Sequence, residues 1–142
     1  MEMLFCISCG PTQQKQPVTR DSFADMTLDG FHISEKRIRT YIADLMYEDH
    51  DRQAADLKVK DYYKNAGPFL WIGRDGVMHS ADSVLKYVAL VKEMGFSLQR
   101  FRLETIQRDK QTIDSLNLGD ENINRVLARL EYNLTKAYLS YC

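Results

Sequence analysis

The sequence predicts an all-α fold: a small multi-helix bundle with one short extended aromatic segment, Phe69-Leu70-Trp71-Ile72, and a long C-terminal helix. Three observations predict it. Apolar residues recur at helical spacing through most of the chain after Ser34. Turn residues are scarce, with 7 Gly and 3 Pro in 142 residues, fewer than the repeated tight turns of a sandwich or barrel require. The run Phe69 to Ile72 reads as a short strand or an extended segment, and lacking a convincing partner strand nearby it is expected to plug the core.

Composition narrows the function classes. Hydrophobic residues make up 44% of the chain, enough to bury a real core and to exclude disorder along its whole length. Lys and Arg total 19 against 20 for Asp and Glu, a net charge of -1. That balance lacks the basic footprint of a general nucleic-acid binder. The sequence has no apolar run of the roughly 18 to 20 residues that a membrane-spanning helix needs.

The N-terminal residues read in two ways. Met3-Leu4-Phe5-Cys6-Ile7-Ser8 is apolar, small Ser8 precedes Cys9, and polar Gly10-Pro11-Thr12-Gln13-Gln14-Lys15 follows. This order resembles the end of a bacterial lipoprotein signal and would place lipidation on Cys9, the one membrane contact expected. It lacks a basic n-region, and its apolar run is shorter than the roughly 7 to 15 residues of an h-region. The other reading is an apolar N-terminus and nothing more. Cys6 and Cys9 spell C-x-x-C without the strand–helix unit of a redox motif, and the third cysteine is the last residue, Cys142. Residues 10–33 carry little apolar period, contain Pro11 and Pro17, and read as a polar tether. Residues 34–142 form the helical domain.

Within that domain Ser34 caps a helix striped by Ile38, Tyr41, Ile42, Leu45 and Met46. Glu48-Asp49-His50-Asp51 ends the stripe. Ala54, Leu57, Val59, Tyr62 and Tyr63 give a weaker second period, closed by Gly67 as a left-handed helix end and by Pro68. After the aromatic run, Gly73-Arg74-Asp75-Gly76 reads as a tight turn. Ser80 is expected to cap a helix over Val84, Leu85, Val88 and Val91 that ends at Gly95. Leu98, Phe101 and Leu103 suggest a short helical turn after Ser97, and Ile106, Ile113 and Leu116 mark a further helix. Asp120 is the expected cap of the last helix, with Glu121 and Arg125 paired one turn apart. Its stripe is Ile123, Val126, Leu127, Leu130, Leu134, Ala137, Tyr138 and Tyr141. It still runs apolar at Cys142, which suggests truncation.

No catalytic constellation emerges from the residues. A cysteine nucleophile needs a base in reach and an oxyanion hole, commonly including the next backbone N–H, which Cys142 lacks. His32, His50 and His79 are far apart in sequence. Asp49-His50-Asp51 lacks a second pair at ligand spacing and reads as a solvated turn, so no metal or cofactor is expected. Tyr62, Phe69, Trp71, Tyr132 and Tyr138 are candidate core or contact aromatics. Burial is the commoner fate of large rings in a small domain, and Tyr132 is the tyrosine of the last helix expected to face solvent.

Several pieces then match a known family in order. They are Pro68-Phe69-Leu70-Trp71-Ile72-Gly73-Arg74-Asp75-Gly76, Ala81-Asp82-Ser83-Val84-Leu85, Gly95-Phe96-Ser97, and Phe101-Arg102-Leu103-Glu104-Thr105-Ile106. The last is Asn124-Arg125-Val126-Leu127-Ala128-Arg129-Leu130-Glu131-Tyr132-Asn133-Leu134-Thr135-Lys136-Ala137-Tyr138. The set resembles the N-terminal scaffold region of large periplasmic murein L,D-transpeptidases, over roughly Ile38 to Tyr141. The resemblance implies a region that supports transpeptidation without performing it. In that family a separate domain carries the cysteine nucleophile, in a segment like His…Ser-x-Gly-Cys-x-Arg that has no match here, so no catalytic residue carries over. The implied partners are such a catalytic domain, in cis or as a split chain, and peptidoglycan, in the periplasm or cell envelope. A self-standing envelope interaction module is the alternative.

If Trp71 is core, Trp71→Ala should cost about 3 to 5 kcal/mol in denaturant unfolding. A loss below about 0.5 kcal/mol would mark it instead as an exposed contact residue.

Overall fold

The structure is a computed structural model that describes residues 26–28, 31–73, 76–94 and 102–141. Among the described residues five helices dominate: α1 (Glu35–Glu48), α2 (Ala54–Lys64), α3 (His79–Glu93), α4 (Leu103–Ser115) and α5 (Ile123–Tyr141). Two minimal antiparallel hairpins accompany them. β1 (Met26–Leu28) pairs with β2 (Phe31–Ile33), and β3 (Ile72–Gly73) pairs with β4 (Gly76–Val77).

α5 is the axis of the bundle and packs against each of the other four helices. The expected stripe is there, with Val126, Leu127, Leu130, Leu134 and Ala137 buried. Burial is not confined to that stripe, however. From Leu130 to Ala137 the helix is buried on all sides, including Glu131, Asn133, Thr135 and Lys136. A helix surrounded by neighbours has no solvent face, so Tyr132, expected at the surface, is 2% exposed. α1 runs parallel to α5. At one end the Ser34 N–H donates to Asn124 Oδ1 (2.8 Å), and at the other Tyr132 reaches Asp49 (2.7 Å).

Local chemistry explains the helix ends. Ser34 caps α1 as expected, its hydroxyl accepting from the Arg37 N–H. In α2 the Asp56 carboxylate reaches back to the Gln53 N–H (2.8 Å), three residues upstream. Two expected caps are displaced. Asn122, not Asp120, starts α5: its carbonyl accepts from the Val126 N–H (3.1 Å) and its side chain from the Asn124 N–H (2.8 Å). Glu121 consequently stands outside the helix and pairs with Arg129 (3.0 Å), while Arg125 stacks on Tyr41. Ser80 lies inside α3, which begins at His79. Leu103 opens α4 itself rather than closing a separate turn; Gly95, Ser97, Leu98 and Phe101 lie outside the described residues.

The aromatic segment is extended, but it is not an unpaired plug. Phe69, Trp71 and Ile72 are buried, and Ile72–Gly73 finds its partner only three residues on, in Gly76–Val77, with the Trp71 carbonyl accepting from the Met78 N–H (2.8 Å). Two-residue strands carry no alternating pattern, which is why the partner was not legible. Similarly, β1 and β2 lie within the stretch read as tether, and Ile33 is fully buried.

Gly67 is needed for a different reason than expected. The left-handed residue that ends α2 is Ala66 (φ 58°). Gly67 lies under the Tyr62 ring, whose nearest atom would stand 2.4 Å from an added Cβ. Tyr62 is kept there by its hydroxyl, which donates to the Pro68 carbonyl, and by its edge-on contact with Tyr63 (5.0 Å). Gly67→Ala should therefore displace the ring and cost about 1 to 3 kcal/mol in thermal or denaturant unfolding. In a Tyr62→Ala background the same change should be close to neutral, and an equal cost in both backgrounds would refute the steric account.

Candidate functional site

The polar residues of α5 that point inward organise two clusters. The first surrounds Glu131, which is completely buried. Its Oε2 accepts from the Leu70 N–H (2.7 Å) and its Oε1 from the Trp71 N–H (2.9 Å). One carboxyl group thus grips two successive backbone amides of the aromatic segment. From α2 the Tyr63 hydroxyl bonds to Oε2. Thr135, one turn along α5, accepts from Trp71 Nε1 (2.8 Å) and contacts Tyr63 Oη (2.6 Å). Burial pushes the Glu131 pKa up to about 7, against the lowering effect of its donors, and burial likewise raises the Tyr63 phenol well above its usual range.

The second cluster joins the α1–α2 corner to the same helix. Lys136 Nζ lies 2.8 Å from Asp49 Oδ2, 2.6 Å from Asp51 Oδ2 and 3.6 Å from Asp56 Oδ1. The Tyr132 hydroxyl donates to the same Asp49 oxygen (2.7 Å). Burial alone would raise the Asp49 pKa; the bonds from Lys136 and Tyr132 outweigh it and bring it to about 2. Burial and then the bond to Asp49 push the Tyr132 phenol well up. A third pairing lies on the α4 side, where Arg129 forms a two-pronged bond to buried Asp109 (2.7 and 2.8 Å).

The solvated turn read at Asp49-His50-Asp51 is thus corrected in part. His50 and Asp51 are exposed, but Asp49 is buried because Lys136 and Tyr132 supply both a countercharge and a donor. Sequence inspection missed Lys136 and Glu131. The signal available was a lysine and a glutamate on the α5 helix whose other positions are largely apolar.

Of the aromatics singled out, Phe69 and Trp71 are buried together, with Arg39 over the Phe69 ring (4.5 Å). Tyr62 is half-buried against Gly67. Tyr132 belongs to the Asp49 cluster. Tyr138 is 42% exposed and packs edge-on against Trp71 (5.5 Å). Cys9 lies outside the described residues, as do Cys6 and Cys142. Among the described residues no group of three His, Cys, Asp or Glu could hold a metal ion. The surface between α1 and α5 carries a cleft of about 370 Å³ lined by Tyr41, Asp44, Leu45, Glu48 and Arg125, among others.

What these arrangements do chemically is hold elements together: each buried charge or phenol described above bridges two segments distant in sequence. The class defined is a helical support domain whose polar interior fastens an aromatic segment and a helix corner to one axial helix. The chain belongs to the Scaffold domain family, whose model matches residues 57–142 and which is the scaffold domain of L,D-transpeptidases. The match begins within α2 and takes in the aromatic segment, both partners of the Glu131 cluster and all of α5. Searches of curated proteins and of solved structures give no match.

Lys136→Met leaves the Asp49 carboxylate buried without a countercharge and should cost about 3 to 5 kcal/mol in urea unfolding. Combined with Asp49→Asn, the loss should be clearly smaller than the sum of the two single changes. The Asp49 contribution has a defined pH sign. A depressed carboxyl pKa adds stability above its ordinary value of 3.8, lost as pH falls towards about 2. Additive single losses, or a Lys136→Met loss under about 1 kcal/mol, would contradict the pairing.

Proposed function

We propose that this chain is a non-catalytic scaffold that supports peptidoglycan cross-linking by an L,D-transpeptidase catalytic domain, joined to it or supplied as a separate chain. The setting is the bacterial periplasm or cell envelope, with Cys9 as the lipid anchor where the leader is processed. The observation that carries this reading is the use of the polar interior. Glu131, Tyr63, Thr135, Tyr132 and Lys136 of the matched residues, with Asp49 from just before them, bond to one another and to backbone, an arrangement suited to rigidity and not to attack on a substrate. A rigid support fits the part that the family name describes.

In this reading the catalytic domain takes the tetrapeptide stem of peptidoglycan through its own cysteine, and the scaffold holds that domain in a productive position. The test is a cross-linking assay on tetrapeptide-stem muropeptides with an L,D-transpeptidase catalytic domain, alone and with this chain fused or added. The chain is expected to raise cross-link yield several-fold and to form no cross-links by itself. Cross-links formed by the purified chain alone would overturn the proposal. An unchanged yield, with the chain still sedimenting with peptidoglycan sacculi, would instead favour a self-standing envelope module.

A further inference from the structure

We propose that the cleft between α1 and α5 binds a basic amino-acid zwitterion, with the guest's carboxylate on Arg125 and its ammonium groups on Asp44 and Glu48. Tyr41, Asp44, Leu45 and Glu48 fall at i, i+3, i+4 and i+7 and so share one face of α1. A face that packed closely on a neighbour would be apolar at such positions. This one carries two carboxylates and borders a cleft of about 370 Å³. Tyr41 and Leu45 are half-buried and give the lining its apolar part, Asp44 and Glu48 are exposed, and Tyr47 stands almost fully exposed at the rim. The α1 half of the lining lies ahead of the matched residues 57–142, so family membership does not account for it.

Arg125 and Arg129, one turn apart on α5, complete the lining, but they are not equivalent. Arg129 is engaged by Asp109 and Glu121. Glu121 stands one turn from Arg125, and its capture by Arg129 leaves Arg125 on the Tyr41 ring (5.0 Å). A guanidinium stacked on an aromatic face keeps its N–H groups in one plane, open at the edge to a carboxylate that it can grip with two parallel bonds. Among the described residues Arg125 pairs with no carboxylate, and Asp44 and Glu48 have no side-chain hydrogen-bond or ion-pair partner. Charges of both signs therefore line one cleft without neutralising each other. Two carboxylates and one guanidinium are the counterpart of two ammonium groups and one carboxylate, which is the charge set of a free diamino acid such as lysine. Its methylene chain would lie on Tyr41 and Leu45, and the exposed Tyr47 ring offers an ammonium a further aromatic face. The cleft is within the range of small-ligand sites, about 300 to 1,000 Å³. This site is independent of the scaffold role proposed above.

The test is a titration of the isotope-labelled full chain with L-lysine, followed through its backbone amide NMR signals. Saturable shifts are expected at Tyr41, Asp44, Leu45, Glu48 and Arg125. Cadaverine lacks the carboxylate and norleucine lacks the side-chain ammonium, and each should bind about tenfold more weakly than lysine for the loss of one charge-assisted contact. Arg125→Gln should weaken lysine by a similar factor and leave cadaverine unchanged, whereas Asp44→Asn combined with Glu48→Gln should weaken both. The dipeptide Ala-Lys keeps the carboxylate and the side-chain ammonium but ties the α-nitrogen into an amide. Binding tighter than that of lysine would mark a peptide end as the guest, and weaker binding the free amino acid. The absence of any saturable shift with lysine or Ala-Lys, equal binding of lysine and cadaverine, or full lysine affinity in Arg125→Gln would overturn the proposal. The first two outcomes are read on the wild-type chain and decide the matter if a variant does not fold.

Discussion

The bundle depends on one constraint: the aromatic segment has no regular structure able to bond its own backbone where it enters the core. A helix or a broad sheet pairs its own amides, whereas an extended stretch bounded by a two-residue strand leaves several unpaired. The Glu131 carboxyl resolves this by accepting from two successive N–H groups at once, those of Leu70 and Trp71. Tyr63 and Thr135 then satisfy the carboxyl group and the indole in turn. Because each partner comes from a different element, the cluster sets the relative position of α2, the aromatic segment and α5.

The Asp49 cluster solves a similar problem with charge. The α1–α2 corner must turn against the middle of α5, and its carboxylate is carried inward with it. Lys136 reaches it from inside the axial helix, and Tyr132 adds a donor. The two clusters share the same two turns of α5, Glu131 and Thr135 in one and Tyr132 and Lys136 in the other, and so serve two sides of one helix. A residue pattern of this kind looks like an ordinary polar face until the neighbours are known.

That difference marks the limit of what could be read beforehand. Helix existence was legible for all five, since each carries a 3.6-residue apolar period, and so was the Ser34 cap, which needs only local geometry. Trp71 and Phe69 were legible as core from size and hydrophobicity. The fate of Tyr132 was not, because exposure was inferred from a one-sided stripe while α5 is enclosed on every side from Leu130 to Ala137. Asp120 lost to Asn122 as a cap because several good capping residues stand in succession and only packing chooses among them. The pairing of Ile72 with Val77 was hidden by strands too short to show any alternation. For the functional region, family membership was legible from ordered short pieces, whereas the Glu131 and Asp49 clusters join residues 60 to 90 positions apart and have no local signature.

The parallel arrangement of α1 and α5 has a consequence for how the chain reaches its native state. Parallel neighbours cannot be joined by a short turn, and here the Ser34–Asn124 bond closes a separation of 90 residues. Each of the other described helices packs on α5, which follows them along the chain. The earlier helices emerge from the ribosome with their apolar sides lacking a mate, and their consolidation awaits the synthesis of α5. A topology rich in such distant pairings folds more slowly than a sequentially paired bundle and exposes a longer-lived, association-prone intermediate.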